Sequence, residues 1–104
     1  MLSETEFNAE VDEIFVTIED QLDELELDLD IDTSGGLLTI TFDSGGTLIF
    51  SRQPASREIW MAARSGGYHL GKVEAAWQTG DGQSLTDLVN QLFSEQLGEA
   101  VEIL

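Results

Sequence analysis

The first part of the chain carries apolar residues at steps of three and four positions. This spacing is typical of one face of an α-helix, because 3.6 residues make one turn. Ser3 followed by Glu6 matches a capping box, in which each side chain accepts the backbone N–H of the other residue. The pattern predicts a helix over residues 3–25, with the apolar stripe Phe7, Val11, Ile14, Phe15, Ile18, Leu22 and Leu25.

After this helix the period changes to two. Apolar Leu27, Leu29 and Ile31 alternate with aspartates 28, 30 and 32. A period of two predicts a strand with one apolar face and one carboxylate face. Further alternating segments rich in β-forming residues follow, and glycine-rich or polar turns separate them. These segments predict strands at about residues 37–42, 47–50, 59–63, 68–72 and 75–78.

A second helical pattern closes the chain. Ser84 is a predicted N-cap with Asp87 at the capping-box position, and Gly98 is a predicted C-cap. The stripe between them consists of Leu85, Leu88, Val89, Leu92 and Phe93. We expect this helix to end at about residue 97, with Val101 and Ile103 of the tail pointing inward.

The order of elements predicts the fold class. Short turns between successive strands imply antiparallel pairing, and each helix and strand has one apolar face. The predicted fold is an α+β two-layer sandwich, in which two helices pack on one face of a single antiparallel sheet of about six strands. The other sheet face is open to solvent or to a partner. Residues 1–104 are expected to form one domain.

The acidic residues are concentrated in the N-terminal third of the chain, and this distribution limits the possible functions. The chain has a net charge of −17, and 13 of its 21 acidic residues lie within residues 1–32. Binding to nucleic acid or to a membrane through basic residues is excluded, since no basic cluster exists. The chain has no cysteine and no long apolar run, and its N-terminus lacks the bases of a signal peptide. We therefore expect a cytoplasmic protein with cationic partners.

Eight carboxylates around the end of the first helix form what we call the acidic ridge. Like charges four residues apart destabilise a helix by about 0.2–0.5 kcal/mol per pair, and a helix C-terminus favours cations. The ridge therefore costs stability, which favours a binding function over a merely solvated face. Its members are Glu19, Asp20, Asp23, Glu24, Glu26, Asp28, Asp30 and Asp32.

Oxygen ligands of this kind suit Mg²⁺, Ca²⁺, Mn²⁺ and iron. The carboxylates follow an exposed helix edge and a strand, and no EF-hand spacing is present. We expect several shallow, weak sites in which water completes the coordination.

The remaining candidate residues do not indicate catalysis. His69 is the only histidine, and the chain has no phosphate-binding loop or nucleophile motif, so an enzyme is not expected. Alternation places Trp60 on the open sheet face, where it is either a binding anchor or a half-covered structural residue. We expect Arg52 of the neighbouring strand to share this outer surface, if the register is unbroken. Trp77 is expected to be structural.

Several stretches resemble the frataxin family, in particular its bacterial CyaY-type members. Residues 51–69 are similar to the family's Asn-Arg/Lys-Gln, Ile/Val-Trp-Leu-Ala and Ser/Gln-Gly-Gly/Pro pattern. Residues 36–42 resemble its Gly-Val-Leu-Thr-Ile-Thr-Phe strand, and residues 17–20 resemble the end of its acidic first helix. Ser51 stands where the family often has Asn.

The resemblance implies the predicted fold and a non-enzymatic role in iron–sulfur cluster assembly. It implies weak binding of Fe²⁺ or Fe³⁺ at the acidic ridge, where other divalent or trivalent cations could substitute. It also implies docking onto the complex of a cysteine desulfurase and an iron–sulfur scaffold protein, which regulates that complex or supplies it with iron. The implied partner-binding residues are Asp20, Asp23, Glu24, Arg52, Gln53 and Trp60.

Two alternatives explain the acidity differently. The chain could be an acidic decoy or adaptor that covers a basic nucleic-acid-binding protein, but a decoy needs carboxylates spread over a large surface. General adaptation to high salt would also spread them, whereas residues 33–104 hold only 8 acids against 4 bases. We expect a monomer, with metal-induced oligomerisation as the alternative.

Overall fold

The computed structural model describes residues 2–27, 29–43 and 45–104. Two helices enclose six strands in the chain order. The elements are α1 (Glu4–Glu24), β1 (Asp30–Ser34), β2 (Leu37–Thr41), β3 (Thr47–Gln53), β4 (Glu58–Ala63), β5 (Gly66–Val73), β6 (Ala76–Thr79) and α2 (Leu85–Leu97).

Helix α1 begins at the predicted capping box. The Ser3 Oγ accepts from the Glu6 N–H at 3.1 Å, and Glu6 Oε1 accepts from the Ser3 N–H at 3.1 Å. Hydrogen bonds from the Ser3 backbone N–H and from the Ser3 side chain lower the pKa of the Glu6 carboxyl below its ordinary value. Five residues of the predicted stripe are buried: Phe7, Val11, Phe15, Ile18 and Leu22.

The six strands form one antiparallel sheet in sequential order, from β1 at one edge to β6 at the other. One sheet face carries the buried residues and packs against the helices. Three aromatic pairs join the two layers, with ring centroids 5.6–6.1 Å apart: Phe7–Trp77, Phe15–Phe50 and Phe42–Phe93. The predicted two-layer α+β sandwich is confirmed.

The tail that follows helix α2 contacts both helices. Ser84 Oγ accepts from the Asp87 N–H at 3.1 Å, and Gly98 ends the helix with a left-handed backbone. The Asn90 side-chain oxygen then accepts from the N–H groups of Ile103 (2.6 Å) and Leu104 (3.0 Å). Ile103 is 3% exposed, so the tail belongs to the core as predicted.

Strand β1 differs from its prediction. It was expected to begin at Leu27 and to bury an apolar face, but it begins at Asp30, and all five of its residues are exposed. Leu27 and Leu29 pack against the core from the connection before the strand. Ile31 is exposed because β1 is an edge strand with a neighbour on one side only. Asp28 lies outside the described residues.

Among the described residues, neither helix is long and apolar enough to cross a membrane.

Candidate functional site

The last turns of α1 carry the first half of the acidic ridge. Asp20, Asp23 and Glu24 are exposed, and Glu19 is half-buried. The last turn contains no basic residue. The negative pole of the helix dipole therefore coincides with four carboxylates, which raises the local negative potential and favours a bound cation.

The chain leaves α1 through a Schellman motif that places Glu26 in the left-handed region. The Glu26 N–H donates to the Asp23 carbonyl at 3.0 Å, and the Leu27 N–H donates to the Leu22 carbonyl at 3.1 Å. Glu26 has φ = 57° at the position that glycine usually occupies. The ridge thus adds a strained backbone position to its charge repulsion, a feature that the sequence pattern did not reveal.

The basic residues near α1 pair with two acids of its N-terminal half instead. The Arg52 guanidinium pairs with Asp12 at 2.6 Å, and Lys72 pairs with Glu10. These are the two ion pairs found among the described side chains. In the described part of the chain no base pairs with the carboxylates at the C-terminal end of α1, so the electrostatic asymmetry of the helix is sharper than the sequence indicated.

Two further ridge residues, Asp30 and Asp32, lie on the open sheet face. Asp30 and Asp32 of β1 are paired with Thr41 and Thr39 of β2, and both aspartates are exposed. The Ser34 hydroxyl donates to Asp32 at 3.3 Å. Within residues 2–27, 29–43 and 45–104, no three His, Cys, Asp or Glu side chains converge into a metal-holding group. The ridge is therefore an extended surface and not a closed site.

Trp60 projects from the open face, as its alternation predicted. It is 38% exposed, and its indole stacks on the His69 ring with a centroid distance of 4.2 Å and an angle of 7°. Its Nε1–H donates to Glu58 Oε1 at 2.9 Å. The prediction of an exposed His69 holds, but its contact with Trp60 was missed. The pairing of β4 with β5 across the turn at Arg64 and Ser65 could have revealed it.

Arg52 corrects the sequence-based expectation. It was expected to share the outer surface with Trp60, but it has the same parity as Leu48 and Phe50 and therefore faces the helices. Its guanidinium also donates to Asn8 at 3.2 Å and lies 5.3 Å from the Phe15 ring centroid. Arg52 thus ties β3 to α1.

Gln53 does lie on the open face. It is paired with Glu58, and its Nε2 donates to the Ser51 hydroxyl at 2.9 Å. Trp77 on β6 is buried, and its Nε1–H donates to Glu10 at 3.2 Å. These contacts give Trp77 the structural role that was predicted.

The fold and these surfaces define a class of small acidic sandwich protein with an uncovered sheet. Residues 1–99 match a family model described as a frataxin-like domain. The iron–sulfur cluster assembly protein CyaY of Stutzerimonas stutzeri is 44% identical, with 97% of this chain and 94% of that protein covered.

Solved structures that are similar to this one include two frataxins. A frataxin from Psychromonas ingrahamii superposes with a TM-score of 0.89 at 26% identity, covering 99% of both chains. A trimeric frataxin from Saccharomyces cerevisiae, complexed with ferrous iron, gives 0.71 at 26% identity, covering 86% of this chain and 87% of that one.

The chain belongs to the frataxin-like family of iron–sulfur cluster assembly proteins. This assignment confirms the family and the non-enzymatic class that the sequence predicted.

Proposed function

We propose that this protein binds iron weakly at the acidic ridge and docks through that ridge onto the complex of a cysteine desulfurase and its scaffold protein. It thereby regulates cluster assembly or supplies iron to it. We place this function in the cytoplasm, with a monomer as the resting state.

The observation that carries the proposal is the uncompensated charge at the end of α1. The chain uses two of its bases on Glu10 and Asp12, and the carboxylates from Glu19 onward have no cationic partner among the described residues. This charge adds to the helix dipole and lies beside the strained Glu26. These features destabilise the end of α1, and a bound cation would reduce the repulsion between the carboxylates. The surface therefore favours a cationic ligand.

The donor set fits iron as a weakly held cargo. Carboxylate oxygens suit Fe²⁺ and Fe³⁺ as well as other hard cations. The described carboxylates do not converge in threes, so one or two of them would bind each ion and water would complete the coordination. Mn²⁺ and Ca²⁺ would compete for the same places. The trimeric yeast frataxin complexed with ferrous iron supports iron binding and makes metal-induced oligomerisation an alternative state.

Docking would use two surfaces, the acidic ridge and the open face of the sheet. The acidic ridge, above all Asp20, Asp23 and Glu24, would steer the protein onto a basic patch of the desulfurase. Trp60 and Gln53 on the open sheet face would contact the scaffold protein. Arg52 has no part in this surface, because it is bonded to α1.

The alternative of an acidic decoy for a nucleic-acid-binding protein is less well supported. A decoy would spread its carboxylates over much of the surface, whereas Lys72 and Arg52 pair with Glu10 and Asp12 and no described base pairs with the acids at the other end of α1.

A charge-matched pair of variants tests the proposal. The first removes three ridge charges (Asp20→Asn, Asp23→Asn, Glu24→Gln), and the control removes three exposed charges elsewhere (Glu74→Gln, Glu95→Gln, Glu99→Gln). Desulfurase affinity is measured for both at low and high salt. We expect the ridge variant to bind at least about tenfold more weakly, with a smaller salt dependence, and the control to bind normally. Equal losses in both variants would mean that net charge alone attracts the partner.

A further inference from the structure

Four side chains form a row across the open face of the sheet. The strand registers pair Leu37 with Ser51, Ser51 with Trp60, and Trp60 with His69. Leu37 and Trp60 are two of the large apolar side chains that remain exposed. Ser51, between them, is much smaller than either neighbour, so the row has a dip at its second position.

The indole at the edge of this dip is held in place. Trp60 and His69 stack in parallel at 4.2 Å, which is close to the spacing of about 4.8 Å between neighbouring strands. The two rings therefore stand on the sheet and stack along the row. The hydrogen bond from Nε1 to Glu58 fixes the rotation of the indole. One indole face is covered by His69, and the other faces the space above Ser51.

The space above Ser51 has the width of one flat group. Trp60 and Leu37 are two strand spacings apart, or roughly 9–10 Å. A planar group that contacts both walls needs about 3.5–4 Å on each side, or about 7–8 Å in all, so this spacing admits one such group and not two. The slot thus has the indole as one wall, Leu37 as the other and the Ser51 hydroxyl as its floor.

The charge around the slot selects a cation. Glu58 has no cationic partner among the described residues, and its bond to the indole N–H places negative charge at the ring edge. Such a ring attracts a guanidinium or ammonium group over its face. The Gln53 amide donates to Ser51 through its nitrogen, so its carbonyl oxygen can accept from a guanidinium, which has five donors and no acceptor.

We propose that the slot between Trp60 and Leu37 is a binding site for one arginine side chain of a partner protein, with Glu58 as its counter-charge. The inference rests on the proposed function, since it specifies what the partner presents to the open face. The guanidinium stacks on the indole, and His69 acts as a positioning residue that supports the ring from behind. A neutral apolar side chain in the slot would leave Glu58 without compensation.

The site can be tested without any partner protein. The ¹⁵N-labelled full chain is titrated with N-acetylarginine amide, and with N-acetylcitrulline amide as an uncharged analogue of the same shape. We expect saturable shifts of the Trp60 indole N–H and of the Ser51 and Gln53 amides, with the citrulline compound binding about tenfold more weakly. Shifts at the acidic ridge report a separate, non-specific attraction. An equal response to both compounds, or none at Trp60, would overturn the proposal.

Three variants complete the test. Ser51→Leu fills the slot without changing charge or aromatic rings, and should abolish the arginine response. Glu58→Gln keeps an acceptor for the indole but removes the charge, and should weaken binding several-fold, whereas Glu95→Gln, which removes a distant charge, should not. A response that survives Ser51→Leu, or falls equally with both glutamate variants, would refute the site. Because no desulfurase is present, failure here leaves the docking proposal standing, and failure of desulfurase docking leaves this result unaffected.

Discussion

The connection after α1 allows a direct test of the view that the acidic ridge costs stability. Glu26 occupies the left-handed position of a Schellman motif with φ = 57°. A non-glycine residue pays for this conformation because its Cβ crowds the following carbonyl oxygen. The Glu26 carboxylate also adds to the negative end of the helix. Replacing Glu26 with glycine removes both costs at once.

The expected gain follows from three contributions. The left-handed backbone costs an L-residue about 1–2 kcal/mol, and a carboxylate near a helix C-terminus costs about 0.3–1 kcal/mol. Glycine loses roughly 0.4–1 kcal/mol of this gain, because it makes the unfolded chain more flexible. The net stabilisation is about 1 kcal/mol, which corresponds to a rise in Tm of about 4–5 °C for a domain of this size.

Thermal unfolding of two control variants separates the causes. Glu26→Gln removes the charge alone and should raise the Tm by a smaller amount. Glu74 has the same φ of 57° in the turn between β5 and β6, which is not the C-terminal end of a helix. Glu74→Gly should therefore show the backbone effect alone. An unchanged or lower Tm for Glu26→Gly would refute the claim that this end of α1 is strained.

Three further changes test other parts of the structure. Trp60→Ala should lower the free energy of unfolding by less than about 1.5 kcal/mol, since the side chain is partly exposed and loses one stacked pair. Affinity for the assembly complex should fall roughly 30-fold or more. A stability loss of several kcal/mol would instead show that Trp60 is a core residue. Ile103→Ala should destabilise by about 2–5 kcal/mol in denaturant titration, whereas the exposed Glu102→Ala should change little; equal, small effects would dismiss the tail as part of the core. Arg52→Met should leave desulfurase affinity unchanged, because the guanidinium contacts α1. A tenfold weaker complex would show that Arg52 is part of the docking surface.

The sequence predicted the parts of the fold that periodicity controls. The stripe from Phe7 to Leu22 and the alternation around Ile40, Phe50 and Met61 both describe buried faces, since packing against the other layer requires them. The caps at Ser3 and Gly98 could also be predicted from the sequence, because each satisfies backbone groups that a helix end leaves unpaired.

Periodicity did not predict the exposure or the contacts of side chains that depend on an edge position in the sheet or on residues distant in the sequence. Ile31 alternates like a core residue, but β1 is an edge strand and leaves it exposed. For Arg52 periodicity itself points to the core face, and the contacts with Asp12 and Asn8 of α1, which a strand pattern does not show, explain why a cation can lie there. The stack of Trp60 on His69 depends on the register of two strands, which the residues of either strand alone do not determine.

The central claim is that iron and the desulfurase share the acidic ridge. The most direct measurement is a titration of the ¹⁵N-labelled protein with Fe²⁺, followed through amide NMR signals and repeated with the desulfurase present. The account predicts that the earliest changes appear at the C-terminal end of α1 and at Asp30 and Asp32, and that the desulfurase weakens them. Changes spread over all exposed acids in proportion to their number, or an iron response that the desulfurase does not alter, would contradict it.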